Sequence, residues 1–121
     1  MTRIARSPDC GNSPKNTKTE EIALALMGVG ALDADLLAEG ASWDRFGKGH
    51  TGRDAIRAAQ AQTPGHEWIE ISEVVSHGKA GSVSGRLQRA GEPPRIFCHV
   101  IRFTSASAKQ IAQIVSFDHA G

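Results

Sequence analysis

Between residues 67 and 118, apolar side chains recur at about every second position in four runs parted by turn-forming residues, which predicts four strands of an antiparallel sheet. EWIEISEVVS alternates through Ile69, Ile71 and Val75, and His77-Gly78 after it reads as a tight hairpin turn, because glycine takes positive φ without strain. AGSVSGRLQR is the second run, broken by AGEPP. RIFCHVIRF is the third, SASAK a loop, and QIAQIVSFD the fourth. Upstream the period is helical. Thr17 with Glu20 forms a capping-box pattern, and Ile22, Leu26 and Val29 follow at helical spacing until Gly28 and Gly30 stop the turn. LDADLLAEG predicts a short second helix capped by Asp33 or Asp35, with Leu36 and Leu37 inward and Gly40 as terminator. ASWDRFG reads as a short extended piece. Thr51 with Asp54 opens a third helix, GRDAIRAAQAQ, which Pro64 and Gly65 end.

Helices first and strands afterwards indicate an α+β fold, in which a strongly curved antiparallel sheet packs against about three N-terminal helices. Residues 1–16 have prolines, asparagines and no period, and are expected to be a flexible leader, at most partly docked, to a single domain over 17–121.

At 121 residues with 40% hydrophobic composition, the chain can bury one core. Its fourteen Lys and Arg are scattered among thirteen Asp and Glu, so neither nucleic acid nor an anionic membrane is an expected partner. Cys10 and Cys98 form no CxxC or Cys/His cluster. There is neither a signal-peptide core nor an apolar run of membrane-spanning length, and the expectation is a cytoplasmic protein without structural zinc.

GKGHTG at 47–52 spells the dinucleotide-binding pattern G-x-G-x-x-G and runs into a helix. That motif needs a buried apolar strand before it and a parallel strand after the helix. SWDRF is polar and an antiparallel meander follows, so a glycine-rich connection is the better reading, and no cofactor is expected.

The order of helix, short helix, Trp-bearing piece and GRDAIRA, then four strands with HGKA at the first hairpin and FCHVIRF and IAQIVSF at the end, resembles the nuclear transport factor 2-like (SnoaL-like) superfamily over residues 13 to about 118. SPKN followed by an acidic-apolar helix is similar to a subgroup of small bacterial proteins with this fold. The resemblance implies a cystatin-like cone whose sheet wraps an apolar pocket for a small apolar or cyclic molecule, with the outer sheet face packing a second copy in a homodimer. It leaves function open, since the superfamily holds isomerases, polyketide cyclases, epoxide hydrolases, dehydratases and non-enzymatic binding modules.

Alternation on the third strand sets His99 with Ile101 and Phe103, and Cys98 with Val100 and Arg102 on the other face. Because Arg102 belongs in water or at an interface edge, the His99 face is assigned to the cone interior. His99 is therefore the leading candidate for acid–base work or ligand contact, with a structural hydrogen-bonding role as the alternative. The resembling subgroup often has aspartate here. On a regular last strand Ile114, Ser116 and Asp118 point the same way, which makes Asp118 a candidate partner for His99 and Ser116 a lining residue; a strand-end Asp can equally be a solvated cap. Asp44 is the alternative carboxylate, or a surface ion pair with Arg45. The resemblance sets the Trp43–Phe46 piece at the pocket mouth, where Trp43 would stack on a ligand or fill the seam between helices and sheet. Phe46, Ile101 and Phe103 complete the expected lining, with His50 rimming the entrance. His66 and His77 fall at turns and read as solvated. No two histidines have metal-ligand spacing. Cys98 cannot pair with His99, because neighbours on a strand face opposite ways.

Two functions stay open. One is an isomerase, cyclase or hydrolase using His99 with Asp118 or Asp44, although the chain has no tyrosine to serve as an oxyanion donor. The other is a binding or protein-interaction module without chemistry.

Overall fold

A computed structural model describes residues 2–8 and 13–121. Seven strands form one sheet: β1 (Arg3–Arg6), β2 (Leu37–Arg45), β3 (Lys48–Thr51), β4 (Trp68–His77), β5 (Ala80–Gln88), β6 (Arg95–Phe103) and β7 (Ile111–Ala120), in the order β1-β4-β5-β6-β7-β2-β3. β4 to β7 are the antiparallel meander of the sequence reading. The flanks correct it, because β1 runs parallel to β4 and β2 parallel to β7, which makes the sheet mixed. Two α-helices, α1 (Pro14–Leu26) and α2 (Arg53–Ala61), and one 3₁₀ turn (Ala34–Leu36) stand where about three helices were expected.

Each difference has a local cause. α1 starts before Thr17, because Ser13 Oγ accepts from the Asn16 amide and Pro14 occupies the first turn, where a missing N–H costs nothing. In LDADLLAEG, Asp33 caps only the 3₁₀ turn. The chain is then extended through Gly40, since hydrogen bonding to β7 outweighs the weak local helix preference of two leucines. Thr51 is the last residue of β3 rather than a cap. α2 begins after Gly52, whose φ of 95° lets the chain turn from strand into helix, and Gly47 at φ 86° makes the turn before β3. GKGHTG is thus a β2–β3 hairpin edge. The leader is partly structured too: Ile4 pairs with Ile69, and Arg6 bridges the buried Glu20 at 2.9 Å. Cys10 lies outside the described residues.

From Ile22 to Leu26, and on to its C-cap Met27, α1 is buried on every side, because it fills the hollow of the sheet. Ile22, Ala25 and Leu26 join Trp43, Ile56, Ile101, Phe103 and Ile114; Ala23, Leu24 and Met27 join Ile69, Ile71, Val83, Leu87 and Phe97. On β4 the alternation breaks. A bulge between Ile71 and Glu73 shifts the phase, so Val74 is buried and Val75, expected inside, is exposed. Val75, Val100 and Phe117 leave apolar surface on the outer face. Among the described residues, no helix is long and apolar enough to cross a membrane.

Candidate functional site

His99 sits at the middle of β6 on the concave face, with Phe97, Ile101 and Phe103; Cys98, Val100 and Arg102 face the other way. Directly opposite on β7 is Ser116, and β2 brings Trp43 alongside. Trp43 Nε1 donates to Ser116 Oγ at 2.8 Å, and Ser116 Oγ lies 2.6 Å from His99 Nδ1. All three side chains are buried. Ser116 Oγ accepts the indole N–H, and the tautomer in which the hydroxyl donates to His99 Nδ1 carries the ring hydrogen on Nε2. Nε2 is buried without a hydrogen-bond partner among the described residues.

His99 lines an inner cavity of about 20 Å³ together with Leu26, Met27, His66, Leu87, Phe97 and Asp118. That volume has room for about one water molecule. The cone interior is otherwise filled by the core side chains, Trp43 and Phe103 among the largest. Larger space lies outside, in a groove of about 480 Å³ lined by Arg45, Phe46, Lys48, His50, Pro64 and Arg89. Arg45, Phe46, Pro64 and Arg89 line both, so the groove is the mouth of the inner cavity.

The electrostatics differ from those of a working acid–base pair. Burial pushes the His99 imidazole down to about 4; Asp118 pulls it up less strongly, and His66 pushes it down further. Asp118 shares the cavity with His99, but its carboxylate accepts from Arg95 Nε at 2.5 Å and from Arg89 Nη2 at 3.0 Å. Burial alone would raise that carboxyl, and the two guanidiniums outweigh it and hold it below the usual range. Alternation does bring Asp118 to the inner face, and the arginines, which only the β5–β6 and β6–β7 registers bring together, take up its charge.

The remaining candidates separate by face. Asp44 points outward and accepts from the Gly47 amide at 3.1 Å; it caps the β2–β3 turn and has no contact with His99. Trp43 is 1% exposed and fills the seam, with no flat face at the mouth. Phe46 is 48% exposed at the mouth and has a left-handed φ of 54°, uncommon for a side chain of its size. His50 rims the groove, its ring 6.2 Å from that of Trp43. Ile101 and Phe103 belong to the core beneath. His66 corrects the expectation of a solvated turn residue: it is buried on the cavity wall, and both ring nitrogens lack a hydrogen bond of good geometry. Burial first, then Arg89, lowers its pKa, against a weaker pull upward from the Met27 backbone. Cys98 is partly buried on the outer face, where burial pushes its thiol up.

The sequence reading gave Arg45 only a surface ion pair with Asp44, and the structure turns it to the groove instead. It donates from Nη1 to Ala59 O at 3.1 Å and from Nη2 to Thr63 Oγ1 at 2.9 Å, and its guanidinium lies 5.2 Å from the Trp43 ring centroid and 5.8 Å from that of Phe46. The signal was its place one residue before the Phe46-Gly47 turn, on the same face as Trp43.

No protein-family model matches the sequence, and no curated protein does. Solved structures do match in shape. A nuclear transport factor 2-like protein of unknown function from Mesorhizobium loti superposes with a TM-score of 0.66 over 97% of this chain and 100% of its own, at 19% identity. The fold is that of the nuclear transport factor 2-like proteins. The same shape is found in SalBIII, an epoxide hydrolase/cyclase-like enzyme in pyran ring formation in salinomycin (TM-score 0.54, 19% identity, 88% of this chain and 93% of that one). It is found as well in the yeast complex of the deubiquitinase Ubp3 and its Bre5 cofactor (TM-score 0.56, 11% identity, 90% and 98%). Structures of this shape thus include an enzyme and a protein complex, so function must be argued from the side chains of this chain.

Proposed function

We propose that the mouth of the cone binds a small organic molecule, and that His99 offers it a neutral N–H as hydrogen-bond donor. One observation carries this reading: His99 lines a cavity that opens beside a groove of ligand size, and its buried Nε2 has no hydrogen-bond partner among the described residues. The complementary ligand group is an oxygen acceptor, such as a ketone, lactone or epoxide oxygen, with an apolar body against Phe46 and Pro64. The resemblance in shape to SalBIII supports a small-molecule role.

Binding is favoured over proton transfer. An imidazole titrating near 4 is a weak base at neutral pH, and a carboxylate held ionised by two arginines has no proton to give and little affinity for one. The outer face adds a second element, a homodimer in which Val75, Val100 and Phe117 meet a second copy.

The test is titration with cyclic ketones, epoxides and lactones, followed through the ¹⁵N resonances of the His99 ring, with mass spectrometry of whatever co-purifies. A ligand that shifts Nε2 supports the reading; a panel that saturates nothing and moves no His99 resonance counts against it.

A further inference from the structure

The groove is lopsided in charge. Arg45, Lys48, His50 and Arg89 line it and, among the described residues, no carboxylate does. The nearest acid on the adjoining cavity wall, Asp118, is already divided between Arg89 and Arg95. Arg45 and Lys48 make no ion pair among the described residues, and both of Arg45's terminal nitrogens donate to uncharged oxygens, of Ala59 and Thr63. Arg89 repels Arg45, and that repulsion, after burial, lowers the Arg45 pKa. Two like charges held at one concave surface without a shared counter-charge store an unfavourable interaction that a bound anion would relieve.

We propose that the ligand of this site is an organic carboxylate, its charged end in the groove against Arg45 and Lys48 and its uncharged acceptor oxygen directed to His99. The inference rests on the binding reading above and adds the charge class. Position orders the two ends: Lys48 and His50 line only the outer groove, Arg45 and Arg89 stand where groove and cavity meet, and His99 lines the inner cavity with Leu26, Met27, Leu87 and Phe97. A molecule with both groups satisfies both ends, and about 480 Å³ is the size range of small-ligand clefts.

The experiment is calorimetric titration at fixed ionic strength and neutral pH with three probes: 4-oxocyclohexanecarboxylate, its methyl ester, and cyclohexanecarboxylate. The keto acid is expected to bind at least about tenfold tighter than the ester, the usual scale of one charge-assisted contact. Lys48→Gln and Arg45→Gln should each reduce that preference, and remote Lys109→Gln should leave it unchanged. Because Arg45 also tethers α2, Lys48→Gln, at an exposed position, keeps the test decisive if Arg45→Gln does not fold. Acid and ester binding alike would overturn the charge assignment and leave the His99 reading intact. Cyclohexanecarboxylate binding as tightly as the keto acid, with His99 resonances unmoved, would sink the His99 reading and leave the anion site. An equal loss in Lys109→Gln, or inorganic phosphate competing as well as the keto acid, would reduce the site to diffuse surface charge and overturn it. No binding of any probe at about 10 mM, where even a millimolar site would fill, overturns both.

Discussion

Ser116 Oγ and His99 Nδ1 lie 2.6 Å apart across the β6–β7 pair, and the same hydroxyl takes the Trp43 indole proton, so one serine joins three strands through the core. Ser116→Ala should leave an indole N–H and an imidazole nitrogen unpaired in a dry interior and destabilise the fold by about 2–4 kcal/mol. Denaturant unfolding measures the loss, and a change below about 0.5 kcal/mol would mean the chain of hydrogen bonds carries no weight. The variant should also free His99 from its fixed tautomer, visible in its ring ¹⁵N shifts.

Acidification should destabilise the protein in a defined interval. The unfolded imidazole titrates near 6.5 and the buried His99 ring near 4, so in between the unfolded chain takes up a proton that the folded one refuses. Stability is full above about 6.5 and falls as pH drops toward 4, by about 3 kcal/mol in all. His66, also lowered by burial, adds to the same trend. Asp118, held low by its arginines, contributes stability present above the ordinary carboxylate range and lost as pH falls through its own depressed value. Urea unfolding from pH 7.5 to 4 on wild type and His99→Gln tests this, since the variant should lose most of the slope. A wild-type curve flat across the interval would contradict it.

Gly85 stands opposite the β4 bulge, where an added Cβ would lie 1.9 Å from the Glu70 carbonyl oxygen. Backbone cannot yield as a side-chain tip does, so Gly85→Ala should cost more than about 3 kcal/mol or abolish folding. Gly40→Ala, with nothing within 4 Å, should be within about 1 kcal/mol of wild type. Similar melting temperatures for the two variants would show that the bulge can relax.

The proposed homodimer is checked by sedimentation at micromolar concentration. Twice the 12.8 kDa chain mass is expected for wild type, and monomer for Val100→Glu, which sets a charge on the outer face without touching the core. A single 12.8 kDa species for wild type would remove the second copy from the reading.

Alternation alone divided FCHVIRF into its two faces and set Ile114, Ser116 and Asp118 together, because side-chain direction on a regular strand depends only on the chain's own period of two. It failed at Val74 and Val75. A bulge is a property of two paired strands, and nothing in EWIEISEVVS marks it; the cue lay in the partner, at Gly85. The same holds for LDADLLAEG, whose local pattern is helical and whose fate was set by a strand more than seventy residues away.

The residue sequence, then, was sufficient for the meander, the inward histidine and the class of fold, all of which arise from neighbours along the chain. Whether Asp118 could serve His99 was decided only by the tertiary structure. The β5–β6–β7 register delivers Arg89 and Arg95 to that carboxylate first, and burial keeps the imidazole neutral. Charge compensation in a site depends on distances across strands, and those distances are absent from the order of residues.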